Sequence, residues 1–154
     1  MKPDIINDDH KYITRATEEA AIEVASTLLP ADRSEVVDGH GLDPLTCLKE
    51  LVLEPETVQF IVPNGKTAGM AGVSEGGRIW MLCTSAIHDY PLTFAREAKR
   101  FVERRTEPLL WNFVDKRNTT HLKLLKFLGF KFLRQFEYGP NNLTFIEFCK
   151  INYG

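Results

Sequence analysis

The apolar and polar residues of the chain recur in runs that fit helices and strands of ordinary length. In residues 17–28 apolar side chains return at every third or fourth position, which predicts a helix with one buried face that ends at Pro30. Residues 42–53 repeat this pattern behind Asp43, a favourable N-cap, and predict a second helix. Because the residues between them, 31–41, are mostly polar and include two glycines, they predict a loop.

A meander of three strands is predicted after the second helix. Residues 57–62 are mostly β-branched or apolar, and the Asn64-Gly65 pair behind them is a strong signal for a hairpin turn. Residues 67–74 and 78–83 predict two further strands joined by a glycine-rich turn. The remaining segments, in chain order, predict a helix over 91–105, a strand over 109–114, a helix over 118–128 and strands over 130–138 and 143–149.

With a short first strand at residues 12–14, the predicted order is β-α-α-β-β-β-α-β-α-β-β. A meander followed by a βαβ crossover predicts an α/β (α+β) protein with a mixed, mostly antiparallel sheet flanked by about four helices. The 154 residues contain no linker or repeat, so we expect a single domain over 1–154. Since 44% of the residues are hydrophobic and 26% charged, disorder is excluded.

Several absences point to a soluble protein of a reducing cytosol. No apolar run is long enough to cross a membrane, and the N-terminal residues lack the apolar core of a secretory signal. The three cysteines are far apart in the sequence and have apolar neighbours, so we expect reduced core residues. The four histidines include no pair at metal-ligand spacing, so no metal site is predicted.

Charge is distributed unevenly along the chain, although the net charge is only −2. Residues 1–60 carry 5 basic and 13 acidic side chains, and residues 91–134 carry 11 basic and 4 acidic ones. This asymmetry fits either an anionic partner or ordinary solvated helix faces that pair between the two halves. Aromatic residues in the basic segment recur at core spacing, which does not predict nucleic-acid binding.

One segment carries a resemblance to a known family. The strand sequence LWNFV, residues 110–114, is followed by Asn118 and, at the end of the next helix, by Gly129 and Phe130. This arrangement resembles the GNAT superfamily of N-acetyltransferase-like proteins, in which the Asn caps the helix and the Gly turns the chain back into the sheet. The resemblance implies a GNAT-like fold whose fourth and fifth strands splay apart around the acyl-pantetheine arm of acetyl-CoA.

Within the same segment the sequence also resembles the internal virion protein A family of short-tailed bacteriophages. That resemblance implies a GNAT-like phage protein that contacts phage or host proteins, in the cytoplasm of the infected bacterium or in association with the virion. The residues that carry it are Leu110, Trp111, Asn112, Val114, Asn118, Thr119, His121, Leu125, Lys126 and Gly129, with Thr84-Ser85 upstream.

The two signature elements of acetyl transfer are missing. GNAT enzymes bind the cofactor pyrophosphate with a glycine-containing loop at a helix N-terminus, but residues 83–91 contain no glycine. Asp89 would place a carboxylate near the phosphates, and Pro91 has no N–H to donate. Many members use a helical Tyr as general acid, and the equivalent position here is Leu125.

Other residues are weak candidates for these roles. The resemblance makes His121 either a proton donor or a helix-start histidine with a local hydrogen bond. Tyr138 is a second candidate acid, and Glu50 a candidate base that could equally be a solvated helix residue. Candidates for binding acetyl-CoA are Thr84, Ser85, Asn118 and Arg96, the last through the cofactor phosphate.

Two functions therefore remain open. The first is a catalytically degenerate GNAT-fold phage protein that acts through protein contacts in virion morphogenesis. The second is an acetyl-CoA-dependent N-acetyltransferase with a non-standard cofactor loop. The missing loop and the missing Tyr favour the first, and neither the cofactor nor the oligomeric state follows from the sequence.

Overall fold

The computed structural model describes residues 12–152, and seven strands in this range form one sheet. The strands are β1 (Ile13–Arg15), β2 (Val58–Ile61), β3 (Thr67–Ser74), β4 (Arg78–Cys83), β5 (Leu109–Asp115), β6 (Lys131–Tyr138) and β7 (Leu143–Ile151). They lie in the order β1-β2-β3-β4-β5-β7-β6, and neighbours are antiparallel except for β4 and β5, which are parallel. The predicted mixed, mostly antiparallel sheet is confirmed, and the chain order differs from the prediction by one additional helix between β1 and β2.

Five α-helices connect these strands in the described part of the chain. They are α1 (Glu18–Thr27), α2 (Pro30–Ser34), α3 (Pro44–Leu51), α4 (Pro91–Glu103) and α5 (Thr119–Phe127), with a short 3₁₀ turn at Ser85–His88. None of the helices within residues 12–152 is long and apolar enough to span a membrane.

The predicted loop over residues 31–41 is wrong, because most of this segment is helical. Pro30 is the first residue of α2, where its fixed φ and missing N–H suit a helix start. The last turn of α2 runs directly into a π-helical turn, Glu35–Gly39, in which His40 N donates to Glu35 O at 3.0 Å. The helical turns of Pro30–Gly39, together with Leu28 and Leu29 before them, form what we call the covering segment. They bury Asp32, which the loop prediction left in solvent.

Turn and cap predictions elsewhere are confirmed. Gly65 adopts a φ of +85°, as the tight turn between β2 and β3 requires. The Asn118 side chain caps α5 by accepting from His121 N at 3.3 Å. Gly129 adopts a φ of +93° just beyond the helix and directs Phe130 into the core.

Two apolar clusters stabilise the sheet. In the larger cluster the rings of Phe94 and Phe101, both on α4, meet the ring of Phe60 edge to face, with centroids 5.5 and 6.0 Å apart. The smaller cluster packs Val24 of α1 and Leu48 of α3 against Met70 of β3, and all three side chains are fully buried. These contacts fix α4 to β2, and α1 and α3 to β3.

β4 and β5 pair only near their N-terminal ends. Within residues 12–152, the one ladder pair between them is Arg78 with Trp111, and Trp111 N donates to Gly77 O at 3.0 Å. Beyond this junction the two strands no longer pair, which leaves an opening between their C-terminal halves that we call the β4–β5 gap. The strand separation implied by the resemblance is therefore present.

Candidate functional site

The inner edge of β4 is the row of backbone groups that points into the β4–β5 gap. Thr84 N donates to Ala68 O of β3 at 2.8 Å, and successive residues of a strand direct their backbone groups to opposite sides. The backbone groups of Ile79, Met81 and Cys83 therefore face the gap. A ligand arm or another strand that entered the gap would pair with this row.

Asn112 bridges the narrow end of the gap. Its Nδ2 donates to Ile79 O at 2.8 Å, and its Oδ1 accepts from Arg78 Nε at 3.2 Å. The Trp111 indole donates to Gly76 O at 3.0 Å, which directs its ring towards the turn before β4. A side chain of β5 thus replaces the backbone pairing that the splayed strands lose.

The covering segment occupies the wide end of the gap. Asp32 Oδ2 accepts from Cys83 N at 2.7 Å, and Leu29 N donates to Cys83 O at 3.0 Å. An isolated bridge pairs Leu28 with Thr84 beside these contacts. Both backbone groups of Cys83 that face the gap are consequently bonded to groups of this chain.

Asp32 is fully buried and joins the covering segment to α5. Its Oδ1 accepts from Asn118 Nδ2 at 2.8 Å, and its Oδ2 lies 3.2 Å from His121 Nε2, an ion-pair contact without the alignment of a hydrogen bond. Burial raises the pKa of Asp32, but the His121 charge and the hydrogen bonds outweigh it, so the pKa is below its usual value. Burial lowers the pKa of His121, and Asp32 raises it well above the ordinary value.

Glu35 lies one helical turn beyond Asp32 in the covering segment. Its Oε1 accepts from Asp115 N at 3.1 Å and from Asn118 Nδ2 at 3.3 Å. Burial raises the pKa of Glu35 to about 7, although the His121 charge and these hydrogen bonds oppose the shift. Near neutral pH this carboxyl group can therefore accept or donate a proton.

Replacing Glu35 with glutamine should change how stability depends on pH. The pKa of Glu35 rises from 4.5 to about 7 on folding, so the folded chain binds the proton more tightly. The contribution of Glu35 protonation to the free energy of unfolding is fully present below pH 4.5 and is lost as the pH rises through about 7. The wild type should thus lose up to about 3 kcal/mol relative to the Glu35→Gln variant over this range.

Urea unfolding of chelator-treated protein across and above this pH range measures the difference. Glu50→Gln is the control, since it makes the same chemical change at an exposed position on α3, away from the buried contacts of Glu35. Parallel profiles for the wild type and Glu35→Gln would show that folding does not raise the pKa of Glu35.

A cavity of about 240 Å³ lies between β4 and β5 and continues under α3 and α5. Its lining is mostly apolar, and the polar side chains that reach it include Glu35, His40, Arg78 and His121. The Arg78 guanidinium stacks over the Phe113 ring, 5.1 Å from its centroid. An apolar chamber with a few convergent polar groups has the composition of a small-molecule site.

Polar groups of the segment between β4 and α4 are already hydrogen-bonded to other groups of the protein. Thr84 is buried, and its hydroxyl donates to Thr67 O at 2.8 Å and accepts from Ala86 N at 3.1 Å. Ser85 is exposed at the start of the 3₁₀ turn. Asp89 accepts from Asn64 Nδ2 at 3.2 Å beside the N-terminus of α4, where Pro91 is the first residue.

The other predicted site residues lie apart from one another. Leu125 is buried in the core on α5, whereas Glu50 on α3 and Arg96 on α4 are exposed. The Tyr138 hydroxyl at the end of β6 lies 3.3 Å from His40 Nδ1 in an aromatic group with Phe113. The structure brings together only Asn118 and His121 of the predicted set, through Asp32.

The sequence did not predict Asp32 and Glu35 as residues of the site. The loop prediction for residues 31–41 put both in solvent, although Pro30 and the three-residue spacing of the two carboxylates fit one face of a helix. Cys83 was correctly predicted as a buried residue, but the sequence gives no sign that His121 lies beside it.

Solved structures of GNAT acetyltransferases resemble this chain closely in fold. A GNAT-family acetyltransferase from Bacillus anthracis has a TM-score of 0.67 at 10% identity, over 90% of this chain and 93% of that one. A ribosomal-protein-alanine N-acetyltransferase from Brucella melitensis has a TM-score of 0.61 at 16% identity, over 91% and 99%. A GNAT acetyltransferase from Bacillus cereus has a TM-score of 0.62 at 14% identity, over 92% and 97%.

These likenesses establish the GNAT fold for this chain. No family model matches the sequence, and no curated protein matches it either. Because a shared fold does not fix chemistry, function has to be inferred from the site itself.

Proposed function

We propose that this chain is a GNAT-fold protein that has lost acyl-CoA binding and acts through contacts with other proteins. The observation that carries the proposal is the occupation of the inner edge of β4 by Asp32 and Leu29. An acyl-pantetheine arm in the β4–β5 gap would have to displace the fully buried Asp32, which would leave Cys83 N and Asn118 without their acceptor.

Two further features support the loss of acetyl transfer. The segment after β4 offers a carboxylate, Asp89, and a proline at the start of α4, where a phosphate would need backbone N–H donors. Leu125 cannot donate a proton to a leaving thiolate. Each change alone could be compensated, but all three features oppose the same reaction.

The setting that we propose is bacteriophage assembly, in the cytoplasm of an infected bacterium. Support comes from the resemblance of residues 110–129 to the internal virion protein A family. Within that stretch Asn118 caps α5, and Gly129 makes the turn after it. The protein partner would come from the phage or its host. Deleting the gene from the phage that carries it should give particles with fewer internal proteins or reduced infectivity, and normal particles would contradict this setting.

Adding acetyl-CoA or free CoA should leave the melting temperature of the purified protein unchanged. A ligand that binds with micromolar affinity stabilises the folded state by about 4 kcal/mol at millimolar concentration, which raises the melting temperature by several degrees. Differential scanning fluorimetry measures the shift, with ADP as the control for unspecific anion binding. A shift with CoA but not with ADP would contradict the proposal.

An active N-acetyltransferase is the second candidate, and one observation favours it. Glu35, with its pKa near 7, reaches the cavity where an amine acceptor would lie and could take its proton. Such an enzyme would have to open the covering segment before cofactor entered. A CoA-dependent melting shift that is preserved in Glu35→Gln, with acetyl transfer lost, would favour this candidate.

A further inference from the structure

Three side chains with metal-binding atoms converge at the wide end of the gap. Asp32, Cys83 and His121 are all buried, and a carboxylate oxygen, the Sγ atom and an imidazole nitrogen lie within 4.8 Å of one another. They come from the covering segment, the end of β4 and the first turn of α5. We propose that these three residues bind a divalent transition-metal ion, zinc in the first instance.

The spacing of the oxygen and nitrogen donors fits a tetrahedral ion. Asp32 Oδ2 and His121 Nε2 are 3.2 Å apart. Two such ligands at about 2.1 Å from zinc, at the tetrahedral angle, lie about 3.4 Å apart. His121 Nε2 is buried beside Asp32 without an aligned hydrogen bond among the described residues, so a metal ion that replaced its proton would break no such bond.

Neighbouring groups already orient the ligands. Asp32 Oδ1 is held by Asn118 Nδ2 at 2.8 Å, and Asp32 Oδ2 by Cys83 N at 2.7 Å. The backbone of His121 is fixed by the Asn118 cap. Metal sites characteristically have such outer contacts, which hold each ligand in its binding orientation.

The donor set indicates which ions fit. One nitrogen, one sulfur and one oxygen donor suit zinc better than the hard cations magnesium and calcium, which take oxygen ligands. Binding would displace the thiol proton of Cys83 and leave His121 neutral. Three protein ligands leave a fourth position for water, and both His121 and Glu35 also line the adjoining cavity.

Zinc titration of chelator-treated protein tests the site directly. We expect one ion per chain, with competition against a chromogenic chelator giving the affinity. Cys83→Ala and His121→Gln should each weaken binding by at least about 100-fold, the upper end of what losing an outer-shell partner costs. The matched control is Cys149→Ala, which removes a half-buried thiol on β7 and should leave zinc binding unchanged.

A second measurement does not depend on variants at the buried positions. The Cys47→Ala/Cys149→Ala double variant keeps Cys83 as its single thiol, since the chain has three cysteines. With cobalt(II) in place of zinc, this variant should show the thiolate-to-cobalt charge-transfer absorption of the wild type. No zinc bound by the wild type, unchanged binding in Cys83→Ala, or loss of that absorption in the double variant would each overturn the proposal.

Discussion

Replacing Asp32 with alanine is expected to lower the free energy of unfolding by about 3–5 kcal/mol, the usual cost of removing one partner of a buried ion pair. The carboxylate is fully buried, and its loss leaves Cys83 N and the Asn118 amide without an acceptor. His121 would also lose the negative charge that holds its proton. Few surface changes in a protein of this size approach such a loss.

Urea unfolding of chelator-treated protein at neutral pH measures the loss and excludes any contribution from metal. The matched control is Asp38→Ala, because Asp38 is exposed in the same covering segment and its replacement should cost less than about 0.5 kcal/mol. Equal effects of the two substitutions would show that the buried contacts of Asp32 contribute nothing beyond those of a surface carboxylate.

Replacing Gly77 with alanine is expected to cost about 3–5 kcal/mol, partly from backbone strain and partly from overpacking. Its φ is +84°, and an added Cβ would overlap the carbonyl oxygen of Leu109 on the neighbouring chain segment. Gly77 O also accepts from Trp111 N at the one pairing of β4 with β5 that the described residues show. The glycine thus permits the close approach at which the two strands join.

Gly76 provides the matched control for that substitution. It has nearly the same φ, +86°, but an added Cβ would meet no atom within 4 Å. Gly76→Ala should therefore cost only the strain, about 1–2 kcal/mol. Thermal or urea unfolding of the two variants isolates the clash, and equal losses would contradict a close approach at Gly77.

The sequence was a good guide wherever local chemistry determines structure. Asn64-Gly65 forms the predicted turn, Asn118 caps its helix, and Gly129 adopts the left-handed conformation that ends it. Each of these outcomes depends on a few adjacent residues and on backbone sterics. The periodic helices and strands followed for the same reason, with shifts of one or two residues at their ends.

The candidate site was harder to predict because it depends on contacts between distant residues. Asp32 lies 51 positions before Cys83 and 86 before Asn118 in the chain, and no local pattern indicates that they meet. A polar stretch with two glycines has the composition of a loop, yet tertiary contacts stabilise α2 and the π-helical turn there. Polar residues that a sequence assigns to solvent can therefore become the buried site.

The backbone amides of Cys83 and Thr84, at the end of β4, donate hydrogen bonds to different parts of the molecule. Cys83 N donates to Asp32 in the covering segment, whereas Thr84 N donates to Ala68 O in β3. Exchange of the Cys83 amide hydrogen with solvent therefore requires the covering segment to open, and exchange of the Thr84 amide requires strand separation within the sheet. Hydrogen exchange at two adjacent residues thus separates local opening of the gap from unfolding of the sheet.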